Sequence, residues 1–325
     1  TREGAEAFAK VADADQTRGL YIDYSASQNV SFKELILEYL DVKLKRRKSY
    51  PVAKLRLERI CREHEDLVCQ PFGQLKPSDF HGYIEDRYDD DIQPATIDRD
   101  LDDLRAVINW AIKFKQLHIA AHPFHGLTRP KYNNERDRRL RGDEEERLLA
   151  AARKDGNEHV HDVIVIALET AMRRGEILAL RADWIDVERR CVVLPATVTK
   201  TEKPRRVPLT RRALDTLQRR TPALDGRLFP VTGNAIRKSF FERVLPAAGI
   251  EGLHFHDLRH EAISRYAESG NFNLLDLAQI SGHRDMRMLQ RYAHLCTAAL
   301  ASRMDQVHRS VKKNGPQSIG KSRGG

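Results

Sequence analysis

The chain has 325 residues, with 56 Lys and Arg against 47 Asp and Glu, for a formal net charge of +9. That length supports two domains with separate cores. No apolar run approaches a membrane span, and the basic surplus favours a polyanionic partner without naming one. Cys61, Cys69, Cys191 and Cys296 are scattered with no CxxC pair. That excludes a zinc ribbon or a thioredoxin-type motif and reads as free thiols in a reducing cytoplasm. No Gly-x-x-x-x-Gly-Lys-[Ser/Thr] loop is present, which argues against ATP-driven chemistry.

The first residues carry neither a signal peptide nor an initiator methionine. Glu3 to Ala14 suits a helix, and Tyr21 to Asn29 reads as loop. Ser31-Phe-Lys-Glu34 then predicts a capping box: the Ser oxygen accepts from a backbone amide three residues on, and the Glu reaches back. Phe32, Leu35, Ile36, Tyr39 and Leu40 follow at helical spacing. The run Lys43-Leu-Lys-Arg-Arg-Lys48 suits either a solvated face or phosphate contact. A second helix is predicted from about Pro51 to Glu65. A third is expected after Pro77-Ser78, capped by Ser78. A fourth follows Pro94, carries Ile97, Leu101, Leu104, Ile108 and Ile112 on one face, and ends at His122-Pro123-Phe124. These helices make one all-α domain over residues 31–127.

Thr128 to Arg141 has no apolar periodicity and is dense in arginine. It reads as an extended basic linker, either a solvated connector or a tracker of a nucleic-acid backbone. Asp143-Glu-Glu-Glu146 is cap-like, and Val160 to Ala171 predicts a strongly apolar helix. Cys191–Leu194, Ala196–Thr201 and Arg205–Leu209 are short, β-rich and turn-separated, as in a small antiparallel sheet. Helices resume near Arg211, Asn234, Asp257, Leu274 and Met286. The Lys/Gly/Ser-rich tail from Val311 is expected to be disordered.

Within the second half, several segments carry chemistry. Arg173 sits near the end of the apolar helix with Glu176 one turn on. An arginine fork matches phosphate oxygens, and Glu176 could orient it or form an ordinary helix pair. His256 and Arg259 share a helix face. His260, four residues after His256, has the spacing of a zinc pair but lacks a marked third ligand, and also suits a core histidine. Lys200 lies at the basic tip of a hairpin; alone it is a surface lysine, yet it could protonate a leaving alkoxide. Tyr292 alone is an ordinary aromatic. As a nucleophile, a phenol with a pKa of about 10 needs its proton removed or its anion stabilised by a cationic pocket.

Together these segments resemble the tyrosine recombinase (phage integrase) family. Thr170-Ala-Met-Arg-Arg-Gly-Glu176 resembles the first-arginine segment, usually Thr-Gly-x-Arg-x-x-Glu. Lys200, with Arg206-Val-Pro-Leu209 behind it, resembles the sheet lysine. His256-x-x-Arg259 resembles the His-x-x-Arg box, Gly282-His283 the third-box histidine, and Tyr292, nine residues after His283, the nucleophile. The match covers about 143–310 well and 31–127 more loosely. Ala171 stands where Gly is usual, Ser281 where Leu is usual, and Glu261-Ala262 where Thr and an aromatic are common.

The resemblance implies a mainly α fold with a small antiparallel β-sheet (α+β). Residues 1–30 would be an N-terminal linker or a remnant of an arm-binding region, and 31–127 the helical core-binding domain. A basic linker at 128–142, a catalytic domain at 143–310 and the basic tail at 311–325 would follow. It implies a site-specific recombinase with Arg173, Lys200, His256, Arg259, His283 and Tyr292 as the catalytic set, supported by Glu176 and His260. Candidate DNA contacts are Lys45, Arg46, Arg47, Lys48, Arg136, Arg138, Arg139, Lys203 and Arg205. No cofactor or metal is implied, because arginine charge does the work of a cation. Implied partners are double-stranded DNA attachment or core sites and a homotetramer on two duplexes. A DNA-bending host factor and an excisionase are candidate accessories, in a cytoplasmic, nucleoid-associated setting with no membrane. A type IB topoisomerase-like nicking-closing enzyme and a catalytically idle DNA-binding regulator stay open as alternatives.

Overall fold

The computed structural model describes residues 24–45, 49–133, 135–199, 203–297, 300–301 and 304–305. The chain divides into two compact units, Thr1–Glu135 and Arg136–Gly325. The architecture is mainly helical with one small antiparallel sheet in the second unit. No helix among the described residues is long and apolar enough to cross a membrane.

The first unit is built on α1 (Phe32–Glu38), α2 (Tyr50–Glu63), α3 (Pro77–Asp89) and α4 (Pro94–Phe114). The Ser31 hydroxyl accepts from the Glu34 amide, and the Glu34 carboxylate accepts from the Ser31 amide at 2.8 Å. Two orphan donors of the first turn are thereby satisfied. Phe32, Leu35, Ile36, Leu57, Ile60, Phe80, Ile97, Leu101, Leu104 and Ile108 form its core. Each fully buried side chain of this size contributes ~1.5–3 kcal/mol of transfer free energy. Asp100 of α4 is buried among these apolar groups and ties three helices together. It accepts from Arg59 of α2 at 2.5 Å and from the Tyr83 hydroxyl of α3 at 2.8 Å.

Three expectations need correction in this unit. Ser25–Gln28 is a short helical turn inside the stretch expected to be loop. Ser78 does not cap α3: Pro77 takes the first helical position, and the Asp79 carboxylate accepts from the Lys76 amide at 2.7 Å. α4 ends at Phe114, well before His122-Pro123, because Gln116 turns left-handed at φ 55° and breaks the amide ladder. The helix expected over Glu3–Ala14 and the tail from Val311 lie outside the described residues.

The second unit starts with α5 (Glu144–Lys154), α6 (Val160–Thr170) and α7 (Arg174–Leu178). A sheet of β1 (Ile185–Asp186), β2 (Cys191–Leu194) and β3 (Arg205–Pro208) follows, in the order β1-β2-β3. Val192 pairs with Ile185 on one side and Val207 on the other. Its period of two buries Val192, Leu194 and Val207 while Val193 and Arg206 face out. The third strand among the described residues is therefore Ile185–Asp186; of the strand expected over Ala196–Thr201, residues 196–198 form a turn after Pro195, and Lys200 and Thr201 lie outside the described residues. α8 (Arg211–Gln218) is capped by the Thr210 hydroxyl, and α9 (Gly233–Lys238) leads through a π-helical turn into α10 (Leu245–Ala248). α11 (Phe255–Glu268), α12 (Leu274–Ser281) and α13 (Arg287–Gln290) complete it. α6 is buried along most of its length and packs with α8 and α11, so its end is a rigid place to hang a site.

Candidate active site

The site grows from the corner between α6 and α7. Ala171 closes α6 in a left-handed conformation (φ 52°), which costs a residue with a Cβ roughly 1–2 kcal/mol. Its carbonyl accepts a short hydrogen bond from Nη1 of the buried Arg259. Two residues on, Arg173 is extended and precedes α7. Glu176 takes the third helical position, where its carboxylate accepts from the Arg173 amide at 2.9 Å and from Arg173 Nη1 at 3.0 Å. Arg174 points elsewhere, with its guanidinium 5.9 Å from the Phe255 ring centroid.

Glu176 is buried and receives a second guanidinium, Arg205 Nη2, at 2.7 Å. Burial pulls its pKa up, but Arg205 and the hydrogen bonds from Arg173 and Arg205 outweigh that, and the carboxyl lies below its ordinary value. Arg205 also donates to the Ile280 carbonyl at 2.8 Å and lies against Gly282. Gly282 is left-handed at φ +71°, and a Cβ there would come within 2.9 Å of Arg205 Nε. Both facts demand glycine. The Gly282 carbonyl in turn accepts from Arg173 Nη2 at 3.4 Å.

The turn at Gly282 delivers His283. Ser281 donates its only hydroxyl proton to the Leu277 carbonyl at 2.6 Å, so it must accept from His283 Nδ1–H at 2.7 Å. His283 Nε2 is then a bare acceptor, facing Arg259 Nη2 at 3.4 Å. Burial, then Arg259 and Arg173, push the imidazole down to about 4. Arg259 itself is lowered to about 9 by burial and by the Arg173 charge. A site that presses cationic groups together this hard is one awaiting an anion.

Tyr292 is buried, and its hydroxyl makes a short hydrogen bond with His260 Nδ1. Burial raises the phenol's pKa, and Arg291, Arg259 and Arg139 pull it back in part. His260 is pushed down to about 4, chiefly by burial and then by His256 and Arg291. The exposed His256 ring stands edge-on to His260, with centroids 4.9 Å apart. A zinc pair at these two histidines would need further ligands. Among the described residues no group of three or more His, Cys, Asp or Glu is arranged for a metal.

The unit thus brings together Arg173, Glu176, Arg259, His260, His283 and Tyr292, with His256 at the edge. Lys200 lies outside the described residues, as do Arg46, Arg47 and Lys48. On either side of the Lys200 loop, the Thr199 hydroxyl donates to the Lys203 carbonyl at 2.8 Å, and Lys203 is exposed. Lys45 of the first unit is exposed and pairs with Asp41 at 2.9 Å. The remaining arginines expected at DNA are engaged within their own unit. Arg136 pairs with Asp257 at 2.9 Å, Arg138 with Glu144 at 2.6 Å and Arg139 with Glu261 at 2.9 Å. Arg205 is held by Glu176 as described.

Sequence reasoning missed this strap of residues 136–141. It fastens to α11 at Asp257 and Glu261, and Arg291 donates to the Arg136 carbonyl and to Asp137, each at 2.8 Å. The signal was present in two departures from the family pattern. Glu261 is the buried carboxylate that Arg139 and Arg265 share, and Ser281 is the acceptor that sets the His283 tautomer.

Residues 138–298 match the family model described as the phage integrase family. That segment belongs to this family, the tyrosine recombinases. A shufflon-specific DNA recombinase of Escherichia coli is 44% identical over 192 residues, 59% of this chain and 49% of that protein, so the matched stretch spans about half of that relative. The integrase of Haemophilus phage HP1 is 29% identical over 260 residues, 77% of this chain and 73% of that protein. The Tn1549 transposon integrase, solved in complex with transposon right end DNA, shares the fold. It aligns at a TM-score of 0.67 and 21% identity, over 85% of this chain and 100% of that one.

Proposed function

We propose that this chain is a site-specific recombinase, the integrase of a mobile element, which cuts and rejoins duplex DNA through a 3′-phosphotyrosyl intermediate. The supporting observation is that Arg173 and Arg259 converge with His283 around the α6–α7 corner, in the unit that also buries Tyr292. Arg173 and Arg259 would hold the scissile phosphate with paired donors and stabilise its added charge in the transition state. His256 would join them from the exposed edge, and His283, whose Nε2 accepts from Arg259 Nη2, would hold that guanidinium in place against the phosphate. Glu176 would keep the Arg173 fork aimed. Tyr292 would attack phosphorus, and Lys200 would protonate the departing 5′ oxygen.

The phosphoester energy is retained in the tyrosyl link, so a second 5′-hydroxyl can reverse the attack without a nucleotide. Exchange between two duplexes takes four cuts and hence four copies of the chain. Attachment or core sites on double-stranded DNA are the proposed substrates. A DNA-bending host protein and an excisionase are the proposed accessories, in a cytoplasmic, nucleoid-associated setting.

A nicked suicide substrate tests the reading. The wild-type chain should accumulate a covalent adduct on a denaturing gel and join two matched sites. A footprint without an adduct would instead favour the idle regulator. Relaxation of any plasmid, with no joined product, would favour the nicking-closing enzyme.

A further inference from the structure

Tyr292 enters the chemistry with its proton on, since burial raises its pKa. Something must take that proton as the oxygen bonds to phosphorus. Neither guanidinium can: an arginine has donors only. His283 is committed, with Nδ1–H held by Ser281 and Nε2 turned to Arg259. The one hydrogen bond described for the Tyr292 hydroxyl is to His260 Nδ1, from the next residue after Arg259 on α11.

We propose that His260 is the catalytic residue that accepts the phenolic proton of Tyr292 during cleavage and returns it during rejoining. The proposal rests on the recombinase reading above. In the forward step the Tyr292 Oη–phosphorus bond forms and the bond from phosphorus to the 5′ oxygen breaks. The phenolic proton passes to His260 Nδ1, and the Lys200 ammonium supplies the proton for the leaving oxygen. In reverse, the imidazolium reprotonates the phenol as it departs.

The geometry supports this role over a packing one. The two side chains are half-buried to buried, the rings lie nearly parallel (29°) with centroids 6.2 Å apart, and the hydroxyl points at the ring nitrogen. A cavity of about 280 Å³ opens onto both. His260 is neutral, so it can present a lone pair. A DNA phosphate beside Arg259 would offset one of the cationic fields that keep the ring neutral. The base would therefore strengthen when substrate is in place.

Single-turnover cleavage of a nicked substrate tests the assignment. His260→Asn, which keeps a polar side chain but not a base, should slow adduct formation by about 10²-fold or more while DNA binding persists. His260→Ala should be equally slow and should recover with added imidazoles, the more so the more basic the imidazole. Filling an empty space would not produce that ranking. A substrate with sulfur in place of the 5′ oxygen releases a thiolate that needs no proton. It should rescue Lys200→Ala but not His260→Ala. Asparagine within about threefold of wild type, rescue of His260→Ala by the sulfur substrate, or no recovery with any imidazole would each overturn the assignment. A wild-type chain that forms no adduct would overturn the recombinase reading itself, and this role with it.

Discussion

Arg205 donates to Glu176 Oε2 at 2.7 Å and the Arg173 guanidinium to Oε1 at 3.0 Å, so one buried carboxylate aligns two guanidiniums. Arg205→Ala leaves that carboxylate short of a partner it needs in a low-dielectric setting. The variant should lose about 2–4 kcal/mol in urea unfolding at neutral pH. Acid sharpens the test. The folded pKa of Glu176 is depressed, so its contribution is present above its ordinary value of 4.5 and is lost as pH falls through the folded value. The gap between wild type and Glu176→Gln should therefore close on acidification. A gap that holds constant would show that this carboxylate is not held down.

His260 and His283 set a second acid limit at higher pH. Both are pushed to about 4 from 6.5, so between those pH values the unfolded chain binds protons that the folded one refuses. Stability should fall as pH drops through that window and stay level with respect to these groups above it. Thermal midpoints of His283→Gln should show a flatter profile from pH 6.5 to 4 than the wild type. Coincident profiles would mean that the imidazole charges freely in the folded state.

Ser281→Ala removes the acceptor of His283 Nδ1–H and leaves the Leu277 carbonyl unchanged in place. Losing one such hydrogen bond costs about 0.5–1.5 kcal/mol. Cleavage rate should drop roughly 3- to 10-fold as the ring samples its other tautomer, with DNA affinity unaltered. Single-turnover rates and a binding titration on the same preparation separate the two effects.

Arg259→Lys keeps one charge but loses the fork that reaches the Ala171 carbonyl and His283 together. A point charge cannot replace planar paired donors, so cleavage should fall by more than about 10²-fold. Near-normal adduct formation would remove Arg259 from the phosphate clamp.

Much of this was legible in the sequence because it is local. The Ser31–Glu34 box, the apolar helix ending near Ala171 and the later helix starts all depend on neighbours within a few residues. The motif segments holding Arg173, Arg259, His283 and Tyr292 were visible as residue types at ordered spacing. Long-range pairings were not. Ile185–Asp186 is too short to carry a period, and only its partner Val192 makes it a strand. The bond between His260 and Tyr292 spans 32 positions, and that between Arg139 and Glu261 spans 122. Charge density in residues 128–141 left a solvated connector and a tracker of a nucleic-acid backbone equally open, because composition does not reveal which carboxylates wait at the other end.

That strap also decides where the chain can be cut. A fragment trimmed to begin at residue 143 would discard Arg136, the guanidinium paired with Asp257, and Arg139, one of the two paired with Glu261, both carboxylates almost wholly shielded from water. Stranding Asp257 costs roughly 3–5 kcal/mol, a large part of a typical domain's margin. It would also unfasten Arg291, next door to Tyr292. Anyone wishing to crystallise or assay the catalytic body alone should therefore place the first codon at or ahead of Arg136.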